Sequence, residues 1–164
     1  MPASPETHLR ELIADFGTAM LVTRAADGAL HGRPMAVAGV DPDGTLWFAS
    51  ERHSGKVEEL AKDNHAAVTM QSGSKFVSLS GTAAVVDDRA KVAELWKPAF
   101  KVWFPGGQDD PSLVLLRVDP GAGEYWDNSG TGGIKYLIQA GKALVTGTKP
   151  DVAGDPKVHG KVDL

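Results

Sequence analysis

Residues 30–50 read LHGRPMAVAGVDPDGTLWFAS, and this stretch decides the fold. Two extended segments, Leu30–Val40 and Thr45–Ser50, flank Asp41–Gly44, whose Asp, Pro and Gly residues are typical of a tight turn. Pro34 interrupts the first segment, and proline cannot donate to a β-ladder, so it predicts an edge, a bulge or a barrel rim. The stretch therefore predicts two adjacent antiparallel strands at the border of a sheet.

Working outward, the chain continues as short strands with helices inserted between them. We expect further extended segments at Ala19–Thr23, Ala66–Met70, Phe76–Val86, Leu113–Val118 and Glu124–Asp127. Many short strands joined by tight turns favour a mainly β barrel over a parallel α/β sheet. Closing the sheet also removes the exposed edges that cause aggregation.

Three helix starts are predicted from capping residues. Ser4 precedes Pro5, Ser54 precedes a short amphipathic segment, and Asp88 precedes another. The C-terminal tail, about residues 129–164, has helical character and then a glycine-rich polar end at Lys149–Asp163. Its helical positions are Ile134, Leu137, Ile138 and Leu144.

The bulk composition limits the possible functions. The 164 residues carry a net charge of −4, which gives no sign of a nucleic-acid or membrane surface. The chain has no cysteine, so disulfides and thiolate chemistry are excluded. Its start lacks the regions of a signal peptide, and no apolar run reaches transmembrane length. We expect a single domain over residues 1–164, a cytoplasmic location, and redox chemistry only through a bound cofactor.

One group of polar residues points to an anionic ligand. Adjacent antiparallel strands would bring Arg33 and Ser50 to the same rim, and the helix that begins after Ser54 would present Lys56 in its first turn. A helix N-terminus beside a hydroxyl, a guanidinium and an ammonium group is suited to a phosphate monoester. On spacing alone, the same residues also fit a helix cap, a solvated lysine and a surface ion pair.

Several short motifs occur here in an order similar to that of the FMN-binding split barrels. Within that superfamily the chain most resembles the bacterial general-stress-protein branch of the pyridoxamine 5'-phosphate oxidase family, over about residues 6–160. The motifs are Arg33-Pro34-Met35, Leu46–Ser50, Ser54-Gly55-Lys56, Val77–Gly81, Leu95–Pro98, Trp103–Gly107, Asp110-Pro111 and Glu124–Asp127.

The resemblance implies an antiparallel six-stranded split β-barrel with inserted and flanking helices, and a homodimer with FMN at the subunit interface. Arg33 corresponds to the family's strand arginine, which contacts the flavin phosphate or the side of its ring. Ser50 corresponds to a hydroxyl near the phosphate and ribityl chain, and Lys56 to the phosphate lysine. Ser54 stands at the helix entrance beside them.

The resemblance also implies contacts to the flavin ring. Pro34 and Met35 would lie along the isoalloxazine. Trp126 corresponds to a tryptophan that reaches the flavin from the other subunit, and the aromatic loop with Trp103 is expected to lie over the neighbouring site. The catalytic residues are not identified by this comparison.

Departures from the true oxidases argue against vitamin B6 oxidation. Gly55 stands where the oxidases have a second basic residue before the phosphate lysine, Phe76 replaces a flavin-contacting glutamine, and Ala38 replaces a lysine that holds the substrate phosphate. No arginine and histidine pair matches theirs after Trp126. The chain therefore lacks the cations that would receive a second phosphate dianion.

Three functional hypotheses follow. The first is an FMN-dependent oxidoreductase, with NAD(P)H or a small redox substrate as partner, in which the cofactor supplies the chemistry. The second is a non-catalytic FMN-binding stress protein that stores flavin or senses redox state. The third is a split barrel that binds a deazaflavin or haem instead, although no convincing axial haem ligand is visible. The five histidines are scattered, so no metal site is expected.

Overall fold

The structure, a computed structural model, describes residues 3–147 and 155–164. Four α-helices and seven strands make up these ranges. The helices are α1 (Pro5–Asp15), α2 (Gly55–Lys62), α3 (Arg89–Leu95) and α4 (Gly130–Thr146). The strands are β1 (Thr18–Arg24), β2 (Leu30–Val40), β3 (Leu46–Glu51), β4 (His65–Gln71), β5 (Lys75–Val86), β6 (Leu113–Asp127) and β7 (His159–Asp163). Two short 3-10 helices lie at Pro98–Val102 and Gly107–Asp109.

Six of the strands close into an antiparallel barrel. They follow one another in the order β3-β2-β1-β4-β5-β6, and pairing of β3 with β6 closes the ring. β7 is an additional strand beside the second half of β6. The six-stranded barrel with inserted and flanking helices that the sequence predicts is confirmed.

The last barrel strand differs from the prediction. Leu113–Val118 and Glu124–Asp127 are not separate extended pieces but the two halves of β6. Pro120 and its neighbouring glycines suggest a break in the sequence, yet β5 stays paired with β6 from Leu115 to Asp127, across a register shift opposite Ser80 and Gly81. Gly81 is needed there, because a Cβ atom would lie 2.1 Å from the Asp119 carbonyl oxygen.

The C-terminal tail is helical, as predicted, over α4. Within the predicted polar end, His159–Asp163 form a strand, β7, which pairs with Ala122–Trp126 and which the sequence analysis did not locate. Residues 149–154 of that end lie outside the described residues. Backbone pairing with an available strand edge, rather than apolar alternation, stabilises β7, so its sequence carries little strand signal.

Helix α1 contributes its apolar face to the barrel core. Leu9, Leu12 and Ile13 are buried and pack in one cluster with Phe48, Tyr125 and the other inward residues of the strands. Burial of each of these aliphatic side chains contributes about 1.5–3 kcal/mol. The Ser4 hydroxyl accepts a hydrogen bond from the Thr7 amide, which confirms the predicted cap.

A second apolar cluster holds the segment at residues 98–104 against the barrel. Trp47, Val92 and Phe104 are buried there, and Phe100 packs against them. The Asp88 side chain caps α3 by accepting from the amides of residues 90 and 91, as predicted. This cluster fixes the aromatic segment beside β2 and β3, where it forms one wall of the site. None of the helices in the described ranges has the length and apolar character that spanning a membrane requires.

Candidate functional site

A cavity of about 780 Å³ lies between β2, β3, the start of α2 and the segment at residues 98–104. This volume is within the range of small-molecule and cofactor sites. Its apolar walls include Met35 from β2 and Phe100, Val102 and Trp103 from the aromatic segment. Its polar end is formed by Arg33, Ser50, Glu51 and Lys56.

The cavity exists because only the second half of β2 pairs with β3. The two strands pair only from Val37, opposite Phe48, with an irregularity before Gly39. The first half of β2, including Pro34, pairs with β1 alone. Of the predicted alternatives at Pro34, the edge is therefore confirmed, whereas the register shift lies later in β2, between Val37 and Gly39. The edge opens the side of β2 that carries the predicted site residues.

Arg33 is held by hydrogen bonds on its inner side. Its Nη1 donates to the Thr23 hydroxyl at 2.6 Å and to the Leu21 carbonyl at 3.4 Å. Its Nη2 lies 3.5 Å from Glu59 Oε2 in an ion pair. The side chain is 23% exposed and lines the cavity. The ion pair that the sequence analysis left open for Arg33 is thus observed. It lies beside the cavity and is largely shielded from solvent.

Lys56 enters the same end of the cavity from the first turn of α2. Burial, and then the nearby positive charge of Arg33, lower the pKa of Lys56 below its ordinary value, while Glu51 opposes this shift. The two cations are therefore close enough to repel each other. Such a pair gains from a ligand that brings negative charge between them.

Ser50 and Ser54 bring two hydroxyl groups to the helix entrance. Ser50 is buried, and its Oγ lies 3.3 Å from Ser54 Oγ. Ser54 occupies the N-cap position of α2, as predicted, but its side chain makes no capping hydrogen bond. The start of α2 therefore has no side-chain cap, and an uncapped helix N-terminus is suited to an anion.

Glu59 is a site residue that the sequence analysis missed. Its Oε2 accepts from the Thr23 hydroxyl at 2.5 Å, and its Oε1 lies 2.7 Å from His31 Nδ1. These hydrogen bonds, with the charge of Arg33, lower the pKa of Glu59, although burial opposes them. Helical spacing was a usable signal, because residues 56 and 59 share one face of α2.

The residues predicted to contact the flavin ring lie in two different places. Pro34, Met35 and Trp103 line this cavity within one chain, and Trp103 is 59% exposed at its mouth. Trp126 does not line it. It lies on β6, opposite Phe76, and its ring stacks on His159 with 5.4 Å between centroids. A contact between Trp126 and a ligand in this cavity would need a second copy of the chain, and it stays a prediction.

No metal centre is evident in residues 3–147 and 155–164, where no three histidine or carboxylate side chains cluster as ligands would. The polar lining of the cavity is instead a guanidinium, an ammonium, the Ser50 hydroxyl and the Glu51 carboxylate beside apolar and aromatic walls. Taken together, the fold and the site define a small antiparallel barrel with an open, charged corner.

Comparison with known proteins assigns the family. Residues 4–151 match the model of the pyridoxamine 5'-phosphate oxidase-like family, and the chain belongs to that family. The predicted resemblance is therefore confirmed.

Solved structures of proteins described as general stress proteins have the same fold as this chain. A protein described as general stress protein 26 from Jannaschia sp. CCS1 is 26% identical, with a TM-score of 0.73 and coverage of 96% of each chain. The general stress FMN/FAD binding protein of Xanthomonas citri is 28% identical, with a TM-score of 0.65, covering 76% of this chain and 89% of that one.

A curated relative is more similar over a shorter region. Protein bli-3 of Neurospora crassa is 33% identical over 111 residues, which are 60% of this chain. The match spans 53% of bli-3, so this chain corresponds to about half of that relative.

Proposed function

We propose that this protein binds FMN in the 780 Å³ cavity, with the phosphate at the corner formed by Arg33, Ser50, Ser54 and Lys56. The observation that carries the proposal is that Arg33, Ser50 and Lys56 line one cavity whose other walls are mainly apolar and aromatic. Ser54 adds a second hydroxyl 3.3 Å from that of Ser50, and Glu51 is the one carboxylate of the lining. A flavin mononucleotide has the matching form, with a phosphate dianion at one end and a flat ring at the other.

The polar end fits a phosphate rather than a neutral group. Two cations repel each other there, and the buried Ser50 hydroxyl lines the same cavity beside the uncapped start of α2. Charge-assisted hydrogen bonds to a phosphate would offset that repulsion. The description of the Xanthomonas citri neighbour as an FMN/FAD binding protein supports a flavin as the ligand.

The proposal includes a homodimer, formed through the outer face of the sheet. Met20, Phe76 and Trp126 are 38–40% exposed on that face. Between them lie Thr69 of β4 and Ser78 of β5. An exposed face of aromatic and small side chains is typical of a surface that packs against a partner. Packing there is the arrangement in which Trp126 would approach the partner's flavin.

The activity we propose is that of a flavin-dependent oxidoreductase whose substrate is not identified. When bound, the flavin supplies hydride and electron transfer. In this proposal the residues of the chain bind the flavin phosphate, orient the flavin ring and restrict water at the mouth of the cavity. The cavity offers one cationic corner, which the flavin phosphate would occupy, so pyridoxamine 5'-phosphate is not expected as a substrate.

The test begins with the chromophore of the freshly purified protein. We expect a flavin absorption spectrum, and mass spectrometry of the released compound should give FMN. Titration of the apoprotein should show tighter binding of FMN than of riboflavin, because riboflavin lacks the phosphate. A deazaflavin or haem in the purified protein, or equal affinities for FMN and riboflavin, would refute the proposal.

Turnover separates the oxidoreductase from a non-catalytic flavin store or sensor. The FMN-loaded protein should consume NAD(P)H steadily in the presence of an electron acceptor. FMN bound without any turnover would leave the binding proposal standing and would replace the oxidoreductase with the non-catalytic alternative.

A further inference from the structure

Glu59 lies outside the cavity, at the centre of a hydrogen-bond network behind Arg33. Its side chain is only 16% exposed. Oε1 contacts His31, and Oε2 contacts both Thr23 and Arg33. Both carboxylate oxygens are therefore engaged, and one of them is directed at the guanidinium that faces the cavity.

The Thr23 hydroxyl links Glu59 to Arg33 through two hydrogen bonds whose donor and acceptor roles are fixed. Thr23 is 1% exposed, and its hydroxyl carries a single proton. Because that proton is donated to Glu59, the oxygen lone pairs remain for Arg33, whose Nη1 donates to them at 2.6 Å. Removal of the carboxylate would free the hydroxyl to rotate, and the guanidinium would lose a defined acceptor.

The charge of Glu59 also offsets a repulsion. Arg33 and Lys56 are close enough for Arg33 to lower the pKa of Lys56. Without a carboxylate behind it, Arg33 would be pushed away from Lys56, and its long side chain would recover rotamer freedom. Holding an arginine in place costs side-chain entropy, so a group that holds it before the ligand arrives improves binding.

We infer that Glu59 is a positioning residue for phosphate recognition: through Thr23 and by direct pairing it holds the Arg33 guanidinium at the corner that binds the phosphate of a flavin nucleotide. The inference rests on the proposed function. Glu59 touches no ligand in this scheme, so its effect must pass through Arg33 and must depend on the phosphate.

The experiment measures FMN and riboflavin affinities of the apoprotein by fluorescence titration, for the wild type and for Glu59→Ala. We expect Glu59→Ala to weaken FMN binding about three- to ten-fold, the size of one ordinary hydrogen bond, and riboflavin binding by less than about two-fold. In an Arg33→Ala background, Glu59→Ala should change FMN affinity by less than about two-fold, because the group that it positions is already absent.

Matched variants separate positioning from folding. Glu58→Ala removes the adjacent, exposed carboxylate of α2 and should leave both affinities unchanged. Glu59→Gln keeps an acceptor for Thr23 but loses the charge beside Arg33, so it should restore only part of the FMN affinity. If Glu59→Ala does not fold, Thr23→Val breaks the same connection with little change in shape and should weaken FMN alone.

Three results would overturn the inference: equal weakening of FMN and riboflavin, tighter FMN binding by Glu59→Ala, or a full effect of Glu59→Ala in the Arg33→Ala background. The first result would mean that Glu59 supports the fold rather than phosphate recognition. The second would mean that its charge opposes the phosphate. The third would mean that Glu59 does not act through Arg33. Failure of the wild type to bind either flavin would instead refute the proposed function.

Discussion

The cavity and the outer face of the sheet are both exposed, but they are built differently. The cavity gathers charged groups from β2, β3 and α2 of one chain and holds one of them, Arg33, by hydrogen bonds to Thr23 and Glu59. The outer face carries Met20, Phe76 and Trp126, with small and polar side chains between them. The contrast supports the proposal that one chain forms the phosphate corner by itself, whereas the proposed contact of Trp126 with the flavin requires two chains.

The largest effect should come from placing a charge on the outer face. Thr69 lies at the centre of that face, opposite Met20 on β1 and Ser78 on β5. In a two-fold interface, Thr69→Arg would bury two unpaired cations, so we expect dimerisation to weaken at least about 100-fold. Analytical ultracentrifugation measures this. Glu11→Arg, on the exposed side of α1, is the control, and a Thr69→Arg protein that remains dimeric would exclude this face.

The next largest effect should come from the phosphate corner itself. Lys56→Ala should cost about 1.5–3 kcal/mol of FMN affinity, the value of a hydrogen bond to a charged group. That corresponds to roughly a ten- to 150-fold higher Kd. Riboflavin affinity serves as the internal control and should change little. Unchanged FMN affinity in calorimetric titration would remove Lys56 from the site.

A smaller effect is expected for the tryptophan on the outer face. Trp126→Ala should weaken FMN binding about two- to ten-fold, the value of one aromatic contact. Riboflavin should be weakened equally, because the contact is with the ring. FMN and riboflavin titrations of Trp126→Ala, and of Thr69→Arg alone, check this expectation. If Thr69→Arg is a monomer and still binds FMN as tightly as the wild type, Trp126 does not act across an interface.

The smallest effect is a pH dependence that comes from Lys56. Burial and Arg33 lower its pKa in the free protein, so the ammonium form is lost at a lower pH than for an ordinary lysine. FMN affinity should therefore be full near neutral pH and should fall as the pH rises toward, but still below, the ordinary lysine value. Lys56→Arg keeps its charge and should flatten the profile. An unchanged profile in Lys56→Arg would contradict this origin.

The sequence predicts the barrel and most of the corner because local signals agree there. Pro34 marks the open edge of β2, and the order of Ser50, Ser54 and Lys56 marks a strand that leads into a helix. The grouping of Arg33 with Lys56 follows from strand adjacency, which alternation and tight turns specify.

The sequence does not predict features that depend on distant pairing. β7 forms because β6 offers an edge 37 residues earlier in the chain, as the pairing of Glu124 with Lys161 illustrates. The continuity of β6 depends on a bulge in β6 opposite Ser80 and Gly81 of β5. Glu59 joins the network behind Arg33 only because β1 and β2 bring Thr23, His31 and Arg33 to its face of α2. Helical spacing indicates which face of α2 carries Glu59, but no local signal indicates which residues it contacts.

The most direct test of the central claim is a crystal structure of the protein with FMN. The account predicts the phosphate at the corner between β2 and α2, with oxygens within hydrogen-bond distance of Lys56 Nζ and the Arg33 guanidinium, and the ring beside Met35 and Trp103. A phosphate bound elsewhere, with Arg33 and Lys56 contacting no part of the flavin, would contradict it.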